Sequence, residues 1–138
     1  QLPSEVGGRM AAIDAKTGKR IWDIKAEYQS HPVINGDKIY AQGGAWNLKT
    51  GKPIDFQFDR SYGCGQISAS KHMMVFRSAT LGYLDLTRKA GVENFGGIRL
   101  GCYINAIPAG GLVLVPDGSS QCNCSYQMQA WFALEGSE

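Results

Sequence analysis

Apolar residues come in short runs along the chain, and each run stops at a turn signal. Ile13 leads into Asp14-Ala15-Lys16-Thr17-Gly18-Lys19, and Ile21-Trp22 leads out of it. The phrase returns 33 positions later as Asn47-Leu48-Lys49-Thr50-Gly51-Lys52, with Trp46 before it and Ile54 after it. Branched and aromatic residues on both sides favour strands. Asp and Thr side chains can bond the amides of their own turn, and Gly readily takes a positive φ. Asp14, Thr17 and Gly18, then Thr50 and Gly51, are therefore read as turn residues. Between the copies, Pro32-Val33-Ile34-Asn35-Gly36-Asp37-Lys38-Ile39-Tyr40-Ala41 places Asn-Gly between two apolar runs, a strong hairpin signal. Residues 31–58 then read as four short antiparallel strands in succession.

The rhythm continues. Ile67–Ser70, Met73–Arg77 and Leu81–Leu86 form a third copy, with Asp85 in the place of Asn47, 38 positions on. Ile104–Pro108, Gly111–Pro116 and Ala130–Leu134 form a fourth, with Glu135 in the place of Asp85, 50 positions on. The extra length is an inserted loop, 117–127. A fixed period of this size means repeated supersecondary units, and a four-stranded meander is one blade of a β-propeller. The predicted fold is all-β: one partial propeller domain with blade remnants over 8–25 and blades over 30–58, 64–93 and 102–138. That is about three and a half blades, an open arc. Closed propellers typically have four to eight blades, and raw strand edges recruit further strands. The two-stranded start of one chain is thus expected to complete the three-stranded end of the next, by heterologous contact.

Composition agrees with this reading. Charged residues are 19% of the 138 and Gly is 18 of them, which suits tight turns better than a helical bundle. Net charge is +2, and Lys and Arg never cluster beyond two in a row, so no nucleic-acid footprint is expected. No apolar run approaches the roughly 20 residues of a membrane span. The first residue is Gln1, expected equally of a trimmed piece and of a processed mature chain.

The segments 12–22 and 32–40 resemble the PQQ-like β-propeller repeat. Its blade ends in Asp-x-x-Thr-Gly-Lys-x-x-Trp, matched here by Asp14, Thr17, Gly18, Lys19 and Trp22. The second copy departs at Asn47 and at Asp55, where Trp would stand. Phe76-Arg77-Ser78, Asn94–Cys102, Asn105–Gly111 and Cys122–Tyr126 look like the closing segment of large secreted propeller proteins of planctomycete-type bacteria. The superfamily includes quinoprotein dehydrogenases and the scaffold subunit of an outer-membrane assembly machine, so the resemblance implies a fold more than an activity.

Cys64 and Cys102 are 38 residues apart, close to one period, and are expected at the same end of neighbouring blades. Cys122 and Cys124, at i and i+2, share one face of an extended strand, and a bridge between them would close a strained ring. Each is expected to reach one of Cys64 and Cys102. Cys64–Cys124 with Cys102–Cys122 is the favoured pairing; the crossed alternative stays open. Two such bridges would each stabilise by about 3–4 kcal/mol and imply an extracellular or periplasmic location. A four-thiolate metal site is less well matched, because no Cys-x-x-Cys is present.

No nucleophile–base pair, phosphate loop or nucleotide fingerprint is found, so no catalytic residue is named. The chain is read as a non-enzymatic scaffold that assembles through its blade edges into a ring or filament. Its partners would be copies of itself or the remaining blades of a larger propeller. As alternatives, it is a fragment of a PQQ- and Ca²⁺-dependent oxidoreductase or an envelope-associated module that binds glycans or proteins. Outside the PQQ alternative no cofactor or metal is expected. Arg77 and Arg99 flank Gly-rich turns and are candidate contacts for an anion or glycan, or bonds to a blade end. His31 and His72 are read as solvated loop residues. Trp22, Trp46 and Trp131 are read as packing residues.

Overall fold

A computed structural model of the chain describes residues 8–56, 58–118 and 128–136. Its regular structure is entirely β: thirteen strands and no helix among the described residues. The chain divides into two compact units, Gln1–Asp59 and Arg60–Glu138.

The first unit holds two antiparallel sheets. β1 (Arg9–Ile13) pairs with β2 (Arg20–Lys25). β3 (Val33–Asn35), β4 (Lys38–Ala41), β5 (Gly44–Asn47) and β6 (Pro53–Ile54) form a meander in sequence order. The repeated phrase makes the same turn twice. Asp14 Oδ1 accepts from the amides of Lys16 (2.9 Å) and Thr17 (2.8 Å) and from Thr17 Oγ1 (3.0 Å). Asn47 Oδ1 accepts from the amides of Lys49 and Thr50 (both 3.0 Å) and from Thr50 Oγ1 (3.1 Å). The shared requirement is a side-chain oxygen one carbon from Cβ; the charge is dispensable.

The copies differ in their surroundings. Gly18 and Gly51 have φ of 68° and 69°, a region that costs ordinary L-residues roughly 1–2 kcal/mol. Nothing lies within 4 Å of a Cβ placed on Gly18, whereas one on Gly51 would sit 2.8 Å from the Trp22 ring. Trp22 Nε1 donates to Leu48 O at 3.0 Å, so the tryptophan of the first sheet is latched onto the turn of the second. Around this latch Met10, Ala26, Ile39, Ala41 and Trp46 form the core, with Trp22, Ile24, Tyr28 and Leu48 against it.

The second unit repeats the plan. β7 (Ser68–Ala69), β8 (Met73–Ser78), β9 (Thr80–Asp85) and β10 (Val92–Phe95) form a four-stranded sheet. β11 (Ile107–Ala109), β12 (Leu112–Val115) and β13 (Phe132–Glu135) form a three-stranded one. Val75, Leu81, Leu100, Ala106 and Val115 make its core, lined by Phe132, Leu134 and others. In the three longer sheets the last residue of the third strand pairs with the first of the second: Lys38↔Asn47, Met73↔Asp85 and Leu112↔Glu135.

Two details differ from expectation. The fourth repeat's first strand starts at Ile107 rather than Ile104, because Asn105 is drawn inward by its own hydrogen bonds, described below. Trp131 does not pack: it is 74% exposed and precedes β13. Residues 119–127 of the inserted loop lie outside the described residues. Its flanks meet, with Gly118 N donating to Met128 O at 2.9 Å.

The third turn adds charge. Asp85 Oδ1 accepts from Thr87 Oγ1 (2.6 Å) and N (2.8 Å), and Oδ2 from Arg88 Nε (2.7 Å). The Thr87 hydroxyl and amide, then Arg88, hold the carboxyl down at about 2. Arg9 and then Arg20 likewise hold Asp23 at about 2. An unfolded Asp titrates near 3.9, so this stabilisation is complete above roughly pH 5 and is lost as pH falls through about 4 towards about 2. Replacing Asp85 with Asn should flatten part of that acid limb in urea melts run across the window, while the turn itself persists, as Asn47 shows. The two glycines give a sharper comparison. Gly18→Ala should cost about 1–2 kcal/mol for backbone strain alone. Gly51→Ala should cost a further ~1–3 kcal/mol for overpacking against Trp22, read as the difference in urea midpoints; equal losses would refute the latch.

Candidate functional site

Of the residues singled out in the C-terminal half, Arg77, Cys64 and Cys102 come together at one end of the second unit. The segment leading to β7 carries Arg60, Ser61, Tyr62 and Cys64, and the loop leading to β11 carries Cys102 and Asn105. Ala79 fixes the first of these. It is the single residue between β8 and β9, and its φ of 61° is the only positive one outside glycine among the described residues. Its amide donates to Tyr62 O at 2.6 Å. Ser78 Oγ accepts from the Ser61 amide at 3.0 Å. The hairpin thereby carries Tyr62 above the end of β8.

Asn105 ties the two sheets together. It is 1% exposed. Its Oδ1 accepts from the Arg77 amide at 3.0 Å, and its Nδ2 donates to Gly101 O at 2.7 Å. A side chain at Gly65, whose φ is 88°, would collide with Asn105 Nδ2 and Cys102 O, so this crossing admits no side chain there.

Arg77 is the centre of the site and is 3% exposed. A buried cation needs compensation. Its Cζ lies 5.3 Å from the centroid of the Tyr62 ring, and Nη1 donates to Cys102 Sγ at 3.6 Å. Nε is buried without a hydrogen-bond partner among the described residues. Arg60 donates to Gly65 O at 3.3 Å. Burial pushes the Arg60 guanidinium below its usual range; Arg77 acts in the same direction and Cys64 against it. Two guanidinium groups and two sulfurs thus share one neighbourhood.

Arg99 is also buried, 7% exposed, on the stretch between β10 and β11. Cys64 is exposed and Cys102 half-buried, and no disulfide joins them. Cys122 and Cys124 lie outside the described residues, and so does each expected bridge. No group of three His, Cys, Asp or Glu side chains among the described residues could hold a metal ion, and no described helix is long and apolar enough to cross a membrane. Asp14, Thr17, Gly18, Thr50, Gly51 and Asp85 stand at the turns, away from this cluster in sequence. Asn105, Arg60 and Tyr62 belong to the site, and Arg60 and Tyr62 stand in none of the repeated motifs. A signal for Asn105 was present: a polar residue inside the apolar run Ile104–Ile107.

The arrangement of sheets has a counterpart among solved structures. The chain is similar to BamB from Moraxella catarrhalis, with a TM-score of 0.57 at 19% identity, over 79% of this chain and 37% of that one. The likeness shows the fold, a β-propeller type built from antiparallel blades; this chain spans well under half of that structure. No protein-family model matches the chain, and no curated protein matches it in sequence.

Asn105 gives this site a direct test. Asn105→Ala strands the Arg77 amide and the Gly101 carbonyl, each at about 1–3 kcal/mol. The summed loss should appear in the urea midpoint. A loss below ~1 kcal/mol would mean that water replaces the side chain.

Proposed function

We propose that the chain is a non-enzymatic scaffold module of a β-propeller, completed through its blade edges by copies of itself. The observation that supports this reading is the outer edge of β13. In the two four-stranded sheets that place is filled, by β6 next to β5 and by β10 next to β9. Among the described residues β13 pairs with β12 alone. Phe132 and Leu134 nevertheless pack against the core, and Ala133 points to solvent. The strand is held in register and ready to template another. Among the described residues the two-stranded β1–β2 sheet offers a second open edge on β1. Pairing β13 of one copy with β1 of the next is heterologous and gives a ring or a filament.

On this reading the module works outside the cytoplasm, in the periplasm or beyond the cell. Cys122 and Cys124 would bridge to Cys64 and Cys102, supported by the meeting of the loop's flanks beside Gly101. The C-terminal motifs support kinship with the closing segments of large secreted propellers.

Sedimentation velocity over a range of concentrations tests the proposal. The parent chain is expected well above its 15.0 kDa monomer mass. Ala133→Lys, an edge charge of the kind that blocks strand addition, should return it to monomer with unchanged circular dichroism. A parent that stays monomeric throughout would remove the proposal.

A further inference from the structure

Arg77 poses a question that the scaffold reading does not answer. Its guanidinium stays charged at any working pH, it is 3% exposed, and its side chain meets no carboxylate among the described residues. It meets the Tyr62 ring and Cys102 Sγ. The sulfur is the one group in that shell that can become an anion by losing a proton at moderate pH. A neighbouring guanidinium favours thiolate over thiol, and such neighbours lower cysteine pKa values by one to several units.

We propose that Cys102, in the reduced chain, is a thiolate nucleophile held by Arg77 and is the site at which this protein exchanges with disulfides. Three further features fit. Cys102 is half-buried, less enclosed than Arg77. Tyr62, 69% exposed, lays its ring against the guanidinium. Arg60 adds a second positive charge near Arg77, with Cys64 beside it. Against ionisation stands Asp117, whose carbonyl oxygen lies on the Gly101 side of the loop.

The step is balanced. A lone pair of the Cys102 thiolate attacks one sulfur of an incoming disulfide. A new S–S bond forms as the old one breaks, and the departing thiolate takes a proton from water. The disulfide is the oxidant, so no other redox partner is needed. The inference concerns the reduced chain and goes beyond the scaffold reading; either can fail without the other.

The test is alkylation of the fully reduced chain by iodoacetamide across pH. Cleavage before Asp117 separates the Cys102 peptide from Cys122 and Cys124 for mass spectrometry. At about pH 6.5 Cys102 in the parent should react roughly tenfold faster than in Arg77→Gln, and Arg77→Lys should fall between them. A midpoint at the ordinary thiol value of about 8.5, or a profile that Arg77→Gln leaves in place, overturns the proposal. If Arg77→Gln does not fold, the thiolate ultraviolet absorbance of the parent minus that of Cys102→Ser decides instead. Absorbance already present at about pH 6.5 supports the assignment, and absorbance that rises only near about 8.5 overturns it.

Discussion

An oxygen one carbon beyond Cβ decides where each sheet gains its last strand. Asp14, Asn47 and Asp85 each end or follow a strand and fold that oxygen back onto the next amides. The chain then reverses, and β2, β6 and β10 follow. Glu135 stands at the corresponding register, opposite Leu112. Its carboxylate is one methylene further out and cannot make the same short ring. Among the described residues β13 pairs with β12 alone.

The latch between Trp22 and the turn at Gly51 shows how one sheet is joined to the next in the first unit. An indole N–H finds a carbonyl freed by the turn, and the missing Cβ of Gly51 lets the ring close in. In the second unit the same task falls to Asn105, which reaches from the approach to β11 to the backbone of β8. The two solutions share a logic: a side chain of one sheet satisfies backbone groups of its neighbour where no strand pairing is possible.

Much of the fold was legible because turn chemistry and strand alternation are local. Asp-x-x-Thr-Gly-Lys and Asn-Gly fixed three hairpins, and the period fixed the order of the sheets. What was not legible depended on long-range contacts. Trp131 looks like a packing residue by type, yet it stands in solvent beside an edge. Ile104 looks like strand, yet the pull of Asn105 on Arg77 and Gly101 displaces the start of β11. The cysteine spacing pointed to matching places in neighbouring sheets, and Gly65, next to Cys64, packs against the Cys102 carbonyl. The guanidinium groups beside them could not be foreseen, because Arg60 and Arg77 lie 17 residues apart and meet only through the Ala79 turn.

Amide hydrogen exchange at β13 addresses the missing strand most directly. If copies complete the sheet, the outward amides of Phe132–Glu135 should exchange slowly at high protein concentration and quickly at low, while β12 stays protected in both. Exchange at β13 that is fast at every concentration would leave the edge bare and contradict the account.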